Sequence, residues 1–394
     1  MAEDRRRPDH RTGDDRRKGN DNGGGLNITP DTTRGSFLHW VVQYDGRHWG
    51  RNVAVYLTSV VGIYGVMALV AVTQIAPIGR PPVSIFNDWP VVFAFWVSLP
   101  VILFLVASDQ QALDLAMKRV LAAGVVTSSK QFAEEFKDIW TKKFWALNIR
   151  VQVLAPLLAM ILSYFTAYLF KAAGAQTWAQ TTTLNNYAYM IGIALFYMLL
   201  ITYIVRGVAM AVLLKSVANE CTIKLIPLHP DGCGGLQPLG RMGLRNQYAL
   251  TILGINIAVL AIMIYRIDPS LELVIVVPAL AVYLIFGPVI FLGPLLPFRR
   301  VMGDRRRDLM QEIAAPLDAK LDSFKKQARA HRNISQDEFE ALERLRAIGK
   351  AVGELPIWPF DTPTMRVFAT AYVIPVFLAA ATKLAELIVE HVTK

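Results

Sequence analysis

Residues 187–235 read YAYMIGIALFYMLLITYIVRGVAMAVLLKSVANECTIKLIPLHPDGCGG, and this stretch decides the fold. It holds an apolar run, Tyr189–Ala218, and closes on a Gly- and Pro-rich turn, Leu228–Gly235. A second apolar run, Tyr248–Tyr265, follows the turn, and a third, Leu273–Pro297, comes almost at once. A helix needs about 20 apolar residues to cross the roughly 30 Å hydrocarbon core of a bilayer. Several runs here meet that length, so the chain reads as a multi-pass membrane protein. No catalytic signature accompanies them.

Composition points the same way. The 394 residues are 54% hydrophobic and only 18% charged, with mean hydropathy +0.36. Soluble domains carry about one quarter charged residues. The net charge is +10. It sits between the apolar runs, which is the positive-inside bias of membrane proteins and not a nucleic-acid surface. Two cysteines, Cys221 and Cys233, fall in a segment expected in the cytoplasm, where a structural disulfide is not expected. The first 35 residues lack the apolar core of a cleavable signal peptide.

Working outward, residues 1–35 read as a disordered basic tail, with Arg5-Arg6-Arg7, Arg16-Arg17-Lys18 and few large apolar side chains. Phe37–Trp49 has the spacing of a short interfacial helix. Residues 36–297 form the bundle. Its spans are expected near Asn52–Ile75, Trp89–Ala107, Ile149–Phe170, Tyr187–Ala218, Ala249–Tyr265 and Leu273–Leu296. Pro100 is expected to kink the second span. Pro278, Gly287-Pro288 and Gly293-Pro294 require the sixth to kink or break near its cytoplasmic end. Between spans two and three, Phe132, Phe136, Trp140 and Phe144 repeat every fourth residue behind a capping box at Ser128 and Gln131. This amphipathic helix, near 129–146, suits either the membrane interface or packing on neighbouring helices.

The Gly/Pro knot, 227–240, joins spans four and five. Residues 298–354 read as a cytoplasmic helical hairpin, with Pro316 interrupting its first arm and Ser335/Glu338 capping its second. Such a hairpin needs a neighbour for its apolar edge, which makes a subunit interface or a cytoplasmic protein partner an expectation. Residues 355–394 hold a Trp-Pro segment and a seventh apolar run, Met365–Val389, read as a span. Lys and Arg counts along the successive connections run ten, one, seven, one, four, one and thirteen. That alternation puts the amino terminus, the knot and the hairpin on the cytoplasmic side.

The knot is the first place where chemistry can sit. Gly234-Gly235 permits positive φ, and a loop of this kind can turn its amides toward an anion. His229, Asp231 and Cys233, with Cys221, supply metal-binding atom types, but the spacing matches no zinc pattern. A nucleophilic Cys233 activated by His229 is the alternative. Arg206 is the second place. It is the basic residue inside an apolar run, and it must either snorkel to the interface or pair, with Asp109 or Glu386 as partner. Gly287 and Pro288 are pathway candidates through the broken sixth span. No metal or cofactor is expected, and no catalytic residue is assigned.

His229-Pro230-Asp231 followed by Gly234-Gly235-Leu236 resembles an HPD-x-x-GGL signature between two membrane spans. Pro356-Ile357-Trp358-Pro359-Phe360-Asp361 resembles a PIWPFD signature before a final apolar helix. Both are similar to motifs of a broad group of bacterial multi-pass membrane proteins. The resemblance implies architecture and no activity, and it marks Trp358, Pro359 and Asp361 as a structural motif. The expected fold is all-α: a polytopic transmembrane bundle of six or seven spans in a bacterial inner membrane, oligomeric, with the hairpin in the cytoplasm. The expected function is a channel or transporter for an ion or small solute, or else a membrane sensor or scaffold that recruits a partner.

Overall fold

The computed structural model describes residues 28–36, 56–75, 84–172, 174, 177–226, 229–267, 272–329 and 336–360, with isolated positions between 366 and 377. The expected interfacial helix Phe37–Trp49, most of the seventh apolar run and Asp361 lie outside these residues. The described chain is helical apart from one two-stranded ribbon. The helices are α1 (Gly65–Ile75), α2 (Trp89–Ala122), α3 (Lys130–Ala172), α4 (Thr183–Glu220), α5 (Gln237–Ile267), α6 (Val277–Leu292), α7 (Leu296–Arg329) and α8 (Gln336–Gly353). Strands β1 (Val126–Thr127) and β2 (Thr222–Ile223) pair antiparallel, a feature the sequence reading missed.

Five helices are long and apolar enough to cross a membrane, and α1 belongs to a shorter apolar helix, Val60–Gln74. They correspond to expected spans two to six. Their outward faces are apolar, as on α3, where Leu154, Leu157, Ile161 and Tyr164 are all exposed. A lipid environment makes that arrangement favourable.

Local rules explain most boundaries. Asp88 caps α2 by accepting from Val91 N–H, with Pro90 in the first turn. α2 continues past Pro100. A π-helical turn, Ala94–Ser98, immediately precedes it and absorbs the bond that proline cannot donate. Ser129, not Ser128, caps α3 through Phe132 N–H. α6 stops at Leu292, and the chain turns through Gly293–Leu295 before α7, as the Gly-Pro steps require. Pro316, in contrast, lies inside an unbroken α7.

One expectation about a segment needs correction, and another is decided between its two alternatives. The amphipathic stretch near 129–146 packs on neighbouring helices, the second of its two expected settings, and is not a separate helix. It is the first part of the 43-residue α3, about 65 Å long at 1.5 Å per residue. Its aromatic stripe is an internal seam, with Phe136, Trp140 and Phe144 buried against the ends of α2 and α4. Residues 28–35 do not belong to a disordered tail. Ile28, Thr29, Thr32 and Thr33 are buried, because this short polar segment finds hydrogen-bond partners inside the bundle.

Two large buried clusters stack along the bundle. One joins α1, α2 and α4 with Ile85 and Trp178. The other gathers Ile28, the ends of α2 and α4, the start of α3, the ribbon, the knot residues Leu236 and Leu239, and Phe298 of α7. Beyond it α7 and α8 pack as an antiparallel pair. Arg306 donates to Gly353 O near one end, and Gly349 faces Ile313 further along.

Candidate functional site

The knot is organised by one carboxylate. Asp231 Oδ1 accepts from Cys233 N and Gly235 N, both at 2.9 Å, and Oδ2 accepts from Gln237 N at 3.2 Å. His229 Nδ1 lies 2.8 Å from Asp231 Oδ1. That separation calls for a proton on Nδ1 donating to the carboxylate, so the longer approach of Asp231 N to the same nitrogen is not a second bond. Gly232, Gly234 and Gly235 have φ of 65°, 65° and 93°, which is what turns successive amides inward. At Gly235 a Cβ would also overlap the Val125 side chain. Burial works against the Asp231 charge, but the amides and His229 outweigh it and hold the carboxyl below the usual range. The loop thus builds an anion cradle and fills it with its own aspartate, at the first turn of α5.

Cys233 is buried at the back of this loop, and Cys221 is buried beside the ribbon. Burial, with Glu220 adding to it, pushes the Cys221 thiol up to about 11. Neither cysteine forms a disulfide. Among the described residues no three His, Cys, Asp or Glu side chains converge as a metal site would require.

Arg206 lies apart from the knot, in α4, and only 3% of it is exposed. It does not snorkel. Nη1 donates to Thr32 O at 3.2 Å and to Asn148 Oδ1 at 3.3 Å, while Nε stands 3.8 Å from Asp109 Oδ2. Nε has no hydrogen-bond partner among the described residues. Glu386, the other expected partner, lies outside them. Asp109 also borders a cavity of about 10 Å³ with Tyr203, Gly207, Met210, Met242 and Asn246, room for one water molecule. At the residue preceding Asp109 in α2, Arg245 of α5 donates to Ser108 Oγ at 2.6 Å and to Ser108 O at 3.3 Å.

The segment 28–36 closes this centre from one side. Gln110 Oε1 accepts from Thr32 N at 2.8 Å and Thr32 Oγ1 at 2.6 Å, and Gln110 Nε2 donates to Pro30 O. Asn148 Nδ2 donates to Thr32 O at 3.0 Å and to Arg34 O at 2.9 Å. Asp31 N donates to Thr141 Oγ1. Polar side chains from α2, α3 and α4 therefore hold a short turn-forming segment over a buried cation.

The remaining candidates are structural in placement. A Cβ on Gly287 would lie 2.6 Å from the Tyr372 ring, so this glycine is covered. Pro288 sits inside α6. Trp358 stacks on Phe360 at 5.3 Å, Arg299 lies 4.9 Å over the Trp358 ring, and the carbonyl of Pro359 fills the space where a Cβ on Gly240 would be. The Trp-Pro segment thereby straps the start of α5 to the α6–α7 junction.

The sequence reading missed Thr32, Gln110, Asn148, Tyr203, Arg245 and Asn246. Gln110 and Asn148 flank the second polar connection, and their proximity to an apolar end was the available signal. Thr32 carried none. A scan against protein-family models, a search of curated proteins and a search of solved structures returned no match.

Proposed function

We propose that this protein moves an ion or small solute across a bacterial inner membrane, and that Asp109, Arg206 and Arg245 line its route. The observation that carries this reading is Arg206: a buried cation within a span, its Nε facing a carboxylate beyond hydrogen-bond distance, next to a water-sized cavity. A buried ion pair adds little to stability compared with apolar packing of the same volume. Ionisable groups inside spans mark substrate or ion pathways by default. The segment 28–36 then serves as a plug, in a closed state of the route. The covered Gly287 and the self-filled knot argue for placing the route here, away from both.

The test is flux of potassium, sodium, protons and chloride into proteoliposomes, read with ion-sensitive dyes. Wild type should carry at least one of them. Arg206→Gln and Asp109→Asn should each reduce the rate at least tenfold while the protein elutes unchanged from a sizing column. A well-folded wild type without flux of any of the four sinks the reading.

One observation favours a second reading, a sensor or scaffold. Phe339 and Ile348 of α8 are 52% and 51% exposed, and apolar side chains in an otherwise charged helix pair suit a protein partner. Replacing residues 312–350 by a short glycine-serine linker separates the two. A transporter keeps basal flux; a scaffold loses its function entirely.

A further inference from the structure

The first turns of α7 carry an open groove of about 870 Å³. Arg299, Arg300, Arg306 and Arg307 line it, with Asp304 as the lone carboxylate of the wall. With Gly303 and Asp304 these positions follow three-, four- and seven-residue steps, so they share one broad face of α7, while Phe298 and Met302 are buried on another. Gly303 is the floor. The nearest atom to a Cβ there would be Ile357 Cγ2, at 3.5 Å, and that residue belongs to the opposite wall.

The groove is amphiphilic and ordered along the helix. Leu296 stands at the end nearest α6, which is a membrane span, and is 43% exposed. The arginines follow from one turn to three turns further out, roughly 5–17 Å at 1.5 Å per residue. Ile357 and Met310, 42% and 41% exposed, edge the basic zone. Positive-inside charge by itself needs only scattered Lys or Arg. Here four arginines and no lysine converge, and the Arg299 guanidinium lies 4.9 Å over the Trp358 ring. Arg306 is oriented by its bond to Gly353 O, and Arg307 by its pair with Asp304. Guanidinium groups held in place in this way suit bidentate recognition of phosphate oxygens.

We propose that the groove between the start of α7 and Ile357 binds a phosphate ester, at a site separate from the Arg206 centre. Its source is either the headgroup of an anionic phospholipid, with an acyl chain along Leu296, or a soluble phosphate compound.

The experiment uses the full-length protein purified in neutral detergent. Native mass spectrometry measures retention of phosphatidylglycerol against phosphatidylcholine, and calorimetry measures inorganic phosphate and glycerol 3-phosphate. Wild type should prefer phosphatidylglycerol, or bind the soluble phosphates, by at least tenfold over Arg300→Gln/Arg307→Gln. Both arginines are exposed, so an unchanged melting temperature should accompany the loss. Lys325→Gln/Lys326→Gln removes the same charge from the far part of α7 and should bind as wild type does. Preference in the lipid arm assigns the headgroup, and binding in the soluble arm alone assigns the free phosphate. The proposal is overturned if wild type shows neither, if the arginine variant binds like wild type, or if the lysine control loses as much.

Discussion

Asp231 and Asp88 are carboxylates shifted in opposite directions, and each shift has a cause in its contacts. Around Asp231, burial is outweighed by three amides and His229, and the pKa falls. Asp88 is buried at the start of α2, where Trp178 Nε1 donates to Oδ2 at 3.0 Å and Val91 N to Oδ1 at 3.4 Å. Here burial dominates those two bonds and pushes the carboxyl from 3.8 to about 6. The consequences for stability have opposite signs. A depressed folded pKa contributes stability above the unfolded value, lost as pH falls through the folded one. A raised one contributes stability that is full below the unfolded value and lost as pH rises through about 6, here about 3 kcal/mol from a shift near two units. Thermal unfolding in detergent from pH 3 to pH 7 checks this. Asp88→Asn should flatten the fall in melting temperature between pH 4 and 6. Asp231→Asn should instead flatten the loss on the acid side of pH 4. An unaltered slope between pH 4 and 6 in the Asp88 variant refutes the assignment.

At the level of the element, the segment 28–36 is held by side chains that come from elsewhere in the chain. Thr32 is 78 residues from Gln110, 116 from Asn148 and 174 from Arg206. Apart from Ile28 its residues have little apolar surface to bury, so the place of Pro30–Ser36 depends on these bonds. Asn148→Leu keeps the branching at Cγ but removes two hydrogen bonds donated to the segment and one acceptor for Arg206. At about 1 kcal/mol per bond, the local opening equilibrium should rise at least tenfold. Hydrogen exchange should show faster exchange at Asp31, Thr32 and Thr33, with the middle of α4 unaffected. Equal acceleration across α4 would mean that the segment is not a separable plug. If the proposed route is correct, the same variant should raise flux.

For the whole molecule, the basic connections collect at one end. Ile28, Val125, the knot residue Leu236 and Phe298 of α7 share one buried cluster. Ile85 and Trp178, from two weakly charged connections, share the other. We propose, on the positive-inside rule, that the first end lies in the cytoplasm. A membrane-impermeant maleimide tests the placement in intact cells and inverted vesicles. Ser323→Cys should react only in inverted vesicles and Asn87→Cys only in intact cells. Labelling of both from one side would overturn the topology.

Much of this was legible from the chain alone, because hydrophobicity is additive along it. A run such as Tyr189–Ala218 must span whatever its neighbours are, a Gly293-Pro294 step must end a helix, and Gly234-Gly235 must make a turn. The spacing of Phe136, Trp140 and Phe144 showed that they share a face, but not whether lipid or protein covers it. Of the polar centre, the approach of Asp109 to Arg206 was among the partners expected, and the rest was out of reach for a similar reason. A buried charge is defined by what surrounds it. Beyond Asp109 its surroundings here are Thr32 and Asn148, distant in sequence and unremarkable in type. Composition and periodicity report on which solvent each segment prefers. Folding alone chooses the partners of each polar atom, because a hydrogen bond depends on distances between residues that the order of the chain leaves open.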